Sequence, residues 1–190
     1  MDRLSLVAAV CAVAACGSDG DRTSGKRERV NAVQAAPAAR VDPAAMCDVF
    51  HAPGDAPAFA WPELTGDAPA LTGGTWHWIN LWATWCKPCL EELPRLVAWR
   101  GKLGSRVALH LVSADTSDEV VAEYRASHPK VPDTVRLADP DGLADWLTSL
   151  GVAGGSLPVH IFVDSAGKIR CIRASAVEDT DYAAVDALLR

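Results

Sequence analysis

The segment Trp85-Cys86-Lys87-Pro88-Cys89 decides the fold of this 190-residue chain. It directly follows an apolar, β-like run over residues 78–83 and stands at the head of a stretch with helical periodicity. A strand followed by Cys-x-x-Cys at the start of a helix indicates a redox-active dithiol more specifically than the Cys-x-x-Cys motif alone. This segment therefore predicts both a local strand–helix structure and the chemistry of the chain.

The position of the two cysteines predicts their chemistry. A helix N-terminus presents unpaired backbone N–H groups and the positive end of the helix dipole. Because both features stabilise a thiolate relative to the thiol, we expect Cys86 to be the nucleophile. Cys89 lies one helical turn further along on the same face, so the two sulfurs can form a disulfide.

The rest of the chain alternates strand-like and helix-like stretches. Predicted strands cover residues 75–83, 106–112, 134–137, 159–163 and 168–172, and predicted helices cover residues 86–100, 117–126, 143–150 and 179–189. Such alternation predicts a parallel sheet covered by helices. The turn Asp164-Ser165-Ala166-Gly167 joins the last two strands as a hairpin, which makes the sheet mixed. We therefore predict an α/β fold with a central mixed β-sheet flanked by helices.

Four segments resemble the exported thiol–disulfide oxidoreductases of the TlpA/ResA type. They are residues 80–94 around the cysteines, residues 56–59 with the loop to Gly74, residues 137–142 with the following helix, and residues 157–164 with Gly167-Lys168-Ile169. Together they cover roughly residues 55–190, and the first segment is the most specific. The resemblance implies a thioredoxin fold with an N-terminal β extension. It also implies a cis peptide bond between Leu157 and Pro158.

Residues around the cysteine pair have candidate roles. The resemblance places Pro158 beside the cysteines, where it and Leu157 would let the backbone pair with an extended substrate segment. Trp85 would cover the disulfide and contact the partner protein. Pro88 would stiffen the first helical turn, where its missing N–H costs little. Lys87 either favours the thiolate as a nearby positive charge or is a plain exposed lysine.

The proton of Cys89 needs an acceptor before this sulfur can attack. Classical thioredoxins carry a buried Asp six residues before the first cysteine, and this chain has Asn80 there, which cannot accept a proton. Glu92 occupies the acidic position that the TlpA/ResA family has after the second cysteine. We take Glu92 as the candidate proton acceptor, and the alternative is a solvated helix carboxylate.

Composition limits the domain count and the partners. The chain is 49% hydrophobic and 22% charged, which suits one globular domain with a substantial core. Its net charge is −6 and its isoelectric point is about 5.3. Because the basic residues form no long run, nucleic acid is not an expected partner.

The first residues of the chain predict export. The apolar run over residues 4–15 is shorter than the roughly 20 residues of a membrane-spanning helix but has the size of a signal-peptide core. Val13-Ala14-Ala15-Cys16 resembles a bacterial lipobox, which implies cleavage before Cys16 and lipid attached to it. The alternative is an ordinary signal peptide cut near Ala15. We expect a signal peptide over residues 1–15, a flexible tether over 16–45 and the folded domain over 46–190.

Of the six cysteines, Cys11 would leave with the signal peptide and Cys16 would carry lipid, so Cys47 and Cys171 remain as a pair beside the Cys-x-x-Cys. Free thiols are a liability in the oxidising compartments outside the cytosol, so we expect a structural disulfide between them. The alternative is two buried, unpaired cysteines that pack as small apolar groups.

The resemblance implies dithiol–disulfide exchange with disulfide-bearing protein partners and no cofactor. It favours a lipid-anchored reductant on the periplasmic side of the bacterial envelope, which serves cytochrome c maturation or copper-site assembly and is re-reduced by a membrane thiol donor. The direction of electron flow, however, depends on the reduction potential of the pair.

Two other classes fit the cysteines less well. A metal-binding or metallochaperone module could use the Cys86 and Cys89 thiolates. The sequence contains no second Cys-x-x-Cys, however, and its five histidines show no ligand-like spacing. A peroxiredoxin would need Pro and Thr before a single attacking cysteine, where this chain has Ile79 and Ala83.

Overall fold

The computed structural model describes residues 41–190. The predicted signal peptide, Cys16 and the tether up to residue 40 lie outside the described residues. The last residues of the predicted tether belong to a short 3₁₀ helix, Pro43–Met46, in which Met46 is buried. This 3₁₀ helix packs against the last helix of the chain.

The described chain contains seven strands and four α-helices. In chain order they are β1 (Val49–Phe50), β2 (Leu64–Thr65), β3 (Trp76–Trp82), α1 (Lys87–Leu103), β4 (Val107–Ser113), α2 (Asp118–Ser127), β5 (Thr134–Leu137), α3 (Leu143–Ser149), β6 (Val159–Val163), β7 (Ile169–Arg173) and α4 (Tyr182–Leu188). None of the helices within residues 41–190 is long and apolar enough to cross a membrane.

All seven strands form one mixed sheet in the order β1-β7-β6-β3-β4-β5-β2. The central strand β3 runs parallel to β4 and antiparallel to β6. The hairpin of β6 and β7 extends one side, and β5 extends the other in parallel with β4. The predicted α/β fold with a mixed central sheet is therefore confirmed. The two-residue strands β1 and β2 add to opposite edges as the N-terminal β extension.

The core explains why β3 lacks a clean alternation of polar and apolar residues. Every residue of β3 after Trp76 is buried, because helices or loops cover both faces of the sheet. On one face Trp78 packs against Trp99 of α1. On the other face the ring of His77 stacks on that of His110 of β4. Successive residues of β3 therefore contact opposite faces of the sheet, with Trp78 on the side of α1 and His77 on the other side.

Helix ends follow the local signals in the sequence. The Ser117 hydroxyl accepts a hydrogen bond from the Glu119 N–H at 3.2 Å and caps α2. Gly151 adopts φ +87° just after α3, a conformation that favours glycine. The last predicted helix begins later than expected, because Asp179–Asp181 forms a 3₁₀ turn before α4.

A histidine pair links β3 and β4 away from the cysteines. His77 Nδ1 lies 3.0 Å from His110 Nε2, and His77 Nε2 lies 3.1 Å from the Thr72 carbonyl. A carbonyl only accepts, so His77 carries its proton on Nε2 and accepts at Nδ1 from the His110 Nε2–H. Burial, and secondarily the charge of His77, lower the pKa of His110 from 6.5 to about 4. The His110 ring is therefore neutral at neutral pH.

We expect this pair to make the domain less stable in acid. Because the folded state lowers the pKa of His110, the unfolded state binds its proton first as the pH falls below 6.5, and the resulting loss of stability is complete near pH 4. The loss should reach about 1–2 kcal/mol, less than the full shift implies because part of the ring meets solvent. Urea unfolding of the wild type and His110→Asn at several pH values measures it. The wild type should lose more stability than the variant over this range, and equal losses would contradict the prediction.

Candidate active site

Cys86 occupies the N-cap of α1. Its backbone is extended, with φ −87° and ψ 96°, and its sulfur accepts a hydrogen bond from the Cys89 N–H at 3.3 Å. Pro88 stands in the first turn, where no N–H partner is needed. The helix N-terminus therefore directs an N–H group at the sulfur of Cys86, as the spacing of the motif predicts.

The two cysteines form a disulfide and differ in access to solvent. Their sulfurs are bonded, with a Cα–Cα distance of 5.3 Å. Cys86 is 5% exposed, whereas Cys89 is fully buried. The neighbouring Trp85 is 69% exposed, an unusual exposure for so large an apolar side chain. Cys86 is thus the sulfur that a partner reaches first, and Trp85 offers an apolar contact surface beside it.

The other predicted contact residues lie on the first turn of α1 or at the same end of the sheet as the cysteines. Pro88 and Lys87 are exposed, and the Lys87 ammonium lies 3.7 Å from Glu91, one turn along the surface of α1. The Leu157–Pro158 peptide bond is cis. Val159, the next residue, pairs with Leu81 near the end of β3, so the cis-proline loop lies at the same end of the sheet as the cysteines.

Glu92 lies in a buried polar cluster one turn below Cys89. Its side chain is 1% exposed, so the alternative of a solvated helix carboxylate is wrong. Its Oε1 accepts from Asn80 Nδ2 at 3.0 Å, and its Oε2 accepts from the Val177 N–H at 2.9 Å. His160 Nε2 of β6 lies 3.2 Å from the same Oε2. The two hydrogen bonds give each oxygen of this carboxyl group a donor where water does not reach.

Asp115 is a buried carboxylate that sequence reasoning missed. It accepts from the Thr84 N–H at 2.9 Å, from the Thr84 hydroxyl at 2.7 Å and from the Ser113 hydroxyl at 2.6 Å. Asp115 therefore fixes the loop that leads from β3 to the cysteines. Its position could have identified it: Asp115 follows the carboxyl end of the parallel strand β4 by two residues, and ligands commonly bind at this end of parallel strands.

A second disulfide joins Cys47 to Cys171 of β7. Cys171 is fully buried, and the bond spans 124 positions of the chain. It fastens the segment before β1 to β7, the strand that lies between the edge strand β1 and β6.

Two grooves on the described surface lie away from the cysteines. A groove of about 780 Å³ lies along the start of β4, and another of about 520 Å³ lies between α1 and α2; neither cysteine lines them. Within residues 41–190, no group of three or more His, Cys, Asp or Glu side chains is arranged to hold a metal ion.

Fold and site together define the class as a thioredoxin-fold protein with a redox-active Cys-x-x-Cys. The chain belongs to the AhpC/TSA family, whose model matches residues 55–172.

Curated relatives agree with this class. Over 143 residues the chain is 34% identical to the thiol:disulfide interchange protein HelX of Rhodobacter capsulatus, a match that covers 71% of this chain and 75% of HelX. It is 33% identical to the interchange protein DsbE of Allochromatium vinosum, covering 65% and 66% of the two chains. It is 28% identical to the thiol-disulfide oxidoreductase ResA of Bacillus anthracis, covering 60% and 65%. The predicted class of thiol–disulfide oxidoreductases is confirmed, and the chain spans about two thirds of the length of DsbE and ResA.

Solved structures confirm the thioredoxin fold. A DsbF homologue from Corynebacterium diphtheriae superimposes with a TM-score of 0.58 at 21% identity, over 73% of this chain and 91% of that one. A secreted thiol-disulfide isomerase from Corynebacterium glutamicum gives 0.58 at 19% identity, over 74% and 90%. At these identities the likeness concerns the fold.

Proposed function

We propose that this protein is an exported, membrane-tethered oxidoreductase that exchanges the Cys86–Cys89 dithiol or disulfide with partner proteins. The observation that carries the proposal is the disulfide at the N-terminus of α1, in which Cys86 is the more exposed cysteine and Glu92 is buried one turn beyond Cys89. The thioredoxin fold places the cis-proline loop at the same end of the sheet, where an extended substrate segment can pair with the backbone.

The exchange has two steps. The Cys86 thiolate attacks a partner disulfide, a mixed disulfide forms, and the first partner sulfur leaves and takes a proton from water. Cys89 gives its proton to Glu92 and attacks the sulfur of Cys86. The Cys86–Cys89 bond then forms, the mixed disulfide breaks, and the second partner sulfur leaves as a thiolate. The partner gains two electrons, which the cysteine pair loses.

Export and anchoring rest on the N-terminal sequence. The signal-peptide pattern and the lipobox-like Val13-Ala14-Ala15-Cys16 support cleavage before Cys16 and a lipid anchor on the periplasmic side of the envelope. The Cys47–Cys171 disulfide agrees with an oxidising compartment. Radiolabelled palmitate incorporated into the wild type, but not into Cys16→Ala, would support the anchor, and label in neither would contradict it.

The direction of electron flow is proposed to be reduction of the partner. The resemblance to the TlpA/ResA type favours a reductant for cytochrome c maturation or copper-site assembly, supplied by a membrane thiol donor. Equilibration of the Cys86–Cys89 pair with glutathione or dithiothreitol measures its potential. A value near that of a strong oxidant, about −120 mV, would contradict the reductant assignment.

Trapping tests the exchange itself. In Cys89→Ala the first step can occur but the second cannot, so a covalent complex through Cys86 should accumulate and dissolve in reductant. Mass spectrometry of the complex identifies the partner cysteine. The matched control is Cys86→Ala, which retains Cys89 but should trap nothing. Equal trapping by both variants would contradict the assignment of Cys86 as the nucleophile.

Glu92→Gln should slow the second step. The amide cannot take the Cys89 proton, so we expect resolution of a preformed mixed disulfide to fall about 10²-fold, within the usual contribution of general bases. Attack by Cys86 should change little. Quenched-flow separation of the two steps measures this. The control is Glu91→Gln on the exposed face of α1, and a Glu92→Gln rate equal to that of the control would overturn the role of Glu92.

A further inference from the structure

His160 faces Glu92 inside the buried cluster, yet the proposed cycle does not use it. It stands on β6 with a fully buried side chain, opposite Asn80 of β3. Its Nε2 lies 3.2 Å from Glu92 Oε2, off the line of a well-formed hydrogen bond. A buried imidazole this close to a carboxylate is either neutral or half of an ion pair, and the two states would leave Glu92 with different chemistry.

The contacts of Nδ1 decide between these states. Trp78 Nε1 lies 3.1 Å from His160 Nδ1, and the indole N–H can only donate. Asn80 Nδ2 lies 3.4 Å from the same nitrogen, and this amide is oriented by its bond to the Glu92 carboxylate. Two donors therefore point at Nδ1, which must hold its lone pair. The single ring proton of His160 then sits on Nε2, facing Glu92.

We propose that Trp78 locks His160 in the neutral Nε2–H form, and that this lock keeps Glu92 free to accept the Cys89 proton. The proposal deepens the proposed function and rests on it. His160 is a positioning residue: it places a neutral ring beside the carboxylate and takes no proton itself. A second proton, on Nδ1, would face the Trp78 N–H, so the two donors would oppose each other and the hydrogen bond would be lost.

Without the lock, His160 would become an imidazolium. It would then form a buried ion pair with Glu92, and the carboxylate would be a poorer acceptor for the Cys89 proton. With the lock, the cluster carries one negative charge before the second step and none after Glu92 has taken the proton. Cys89 can then attack Cys86, which releases the partner sulfur with its electron pair.

The other charged groups around the cluster are already paired. Arg95 of α1 donates to the Val177 carbonyl at 2.7 Å and pairs with Asp179 at 2.9 Å. Arg173, the cross-strand neighbour of His160 on β7, pairs with Asp181 at 3.2 Å. In the described part of the chain, Glu178 also pairs with Arg95, at 3.5 Å. These partners leave the two donors at Nδ1 to set the protonation of His160, and Trp78 is the closer of the two.

The first test measures the protonation state of His160 directly in the oxidised wild-type protein. Nitrogen-15 NMR of the His160 ring should show the neutral Nε2–H tautomer from about pH 8 down to about pH 6, the range in which free histidine gains its proton. A His160 signal that is doubly protonated, or protonated on Nδ1, would overturn the proposal. This readout depends neither on redox activity nor on any variant folding, so it can fail or succeed apart from the proposed function.

The second test measures how the protonation state of His160 affects the rate at which the mixed disulfide is resolved. Trp78→Phe keeps an aromatic ring against Trp99 and Phe162 but removes the N–H. Resolution of the mixed disulfide should slow about tenfold relative to wild type as the pH falls from about 8 to about 6. Adding His160→Gln to Trp78→Phe should remove that pH-dependent difference, because glutamine cannot become charged. Trp99→Phe is the matched packing control and should follow the wild-type profile.

The outcomes distinguish failure of the proposed role of Trp78 from failure of the proposed disulfide exchange. A Trp78→Phe profile parallel to that of wild type, or a double variant with the same pH dependence as Trp78→Phe, would overturn the lock. Wild-type protein that forms no mixed disulfide at any pH would instead overturn the proposed exchange, and the NMR measurement would still decide the state of His160.

Discussion

Cys86→Ser is expected to reduce disulfide exchange to the uncatalysed background. A hydroxyl forms no disulfide, and Cys89 cannot replace the lost sulfur because its side chain is fully buried. Reduction of insulin or of a model peptide disulfide by dithiothreitol, with and without the variant, measures the effect.

Two comparisons make this result specific. Wild-type protein reduced only at the Cys86–Cys89 bond, with Cys47–Cys171 intact, is the control for folding, and its thermal midpoint should match that of Cys86→Ser. Cys89→Ala should keep the first exchange and stop at the mixed disulfide. Substantial turnover by Cys86→Ser would show that another thiol is the nucleophile.

Removing the second disulfide should have the largest effect on stability. The Cys47–Cys171 bond closes a loop of 124 positions, so its loss from Cys47→Ala/Cys171→Ala should cost about 4–5 kcal/mol through the added entropy of the unfolded chain. For a domain of this size the thermal midpoint should fall by about 10 °C or more. Calorimetry or urea unfolding of the oxidised proteins measures the difference.

The redox site should tolerate this change at low temperature. Cys171 lies on β7, which pairs with β6 and not with the central strand β3 that leads to the cysteines. We therefore expect the folded double variant to exchange disulfides at the wild-type rate. A stability loss below about 1 kcal/mol would show that the unfolded chain is already restrained near these residues.

Local signals were enough to predict much of the fold. The strands over residues 134–137 and 159–163 match β5 and β6, because each is a short run bounded by turn residues. The two-residue strands β1 and β2 have no such signal, since they exist only by pairing with β7 and β5. The extra length of α1 was missed: the helix continues to the buried Leu103 and ends at Gly104 with φ +62°, a local end signal that the prediction did not use.

A local pattern was enough to predict the cysteine pair, because a Cys-x-x-Cys at a helix start depends on spacing within one turn and on the N–H groups of that same turn. The burial of Glu92 and the identity of its neighbours, in contrast, come from long-range contacts of the folded chain. Its partners Asn80 and Val177 lie 12 and 85 positions away, and Trp78 contacts His160 across 82 positions. The protonation of such a cluster depends on which donors the folded chain directs at each nitrogen and oxygen, and no local pattern in the sequence records that.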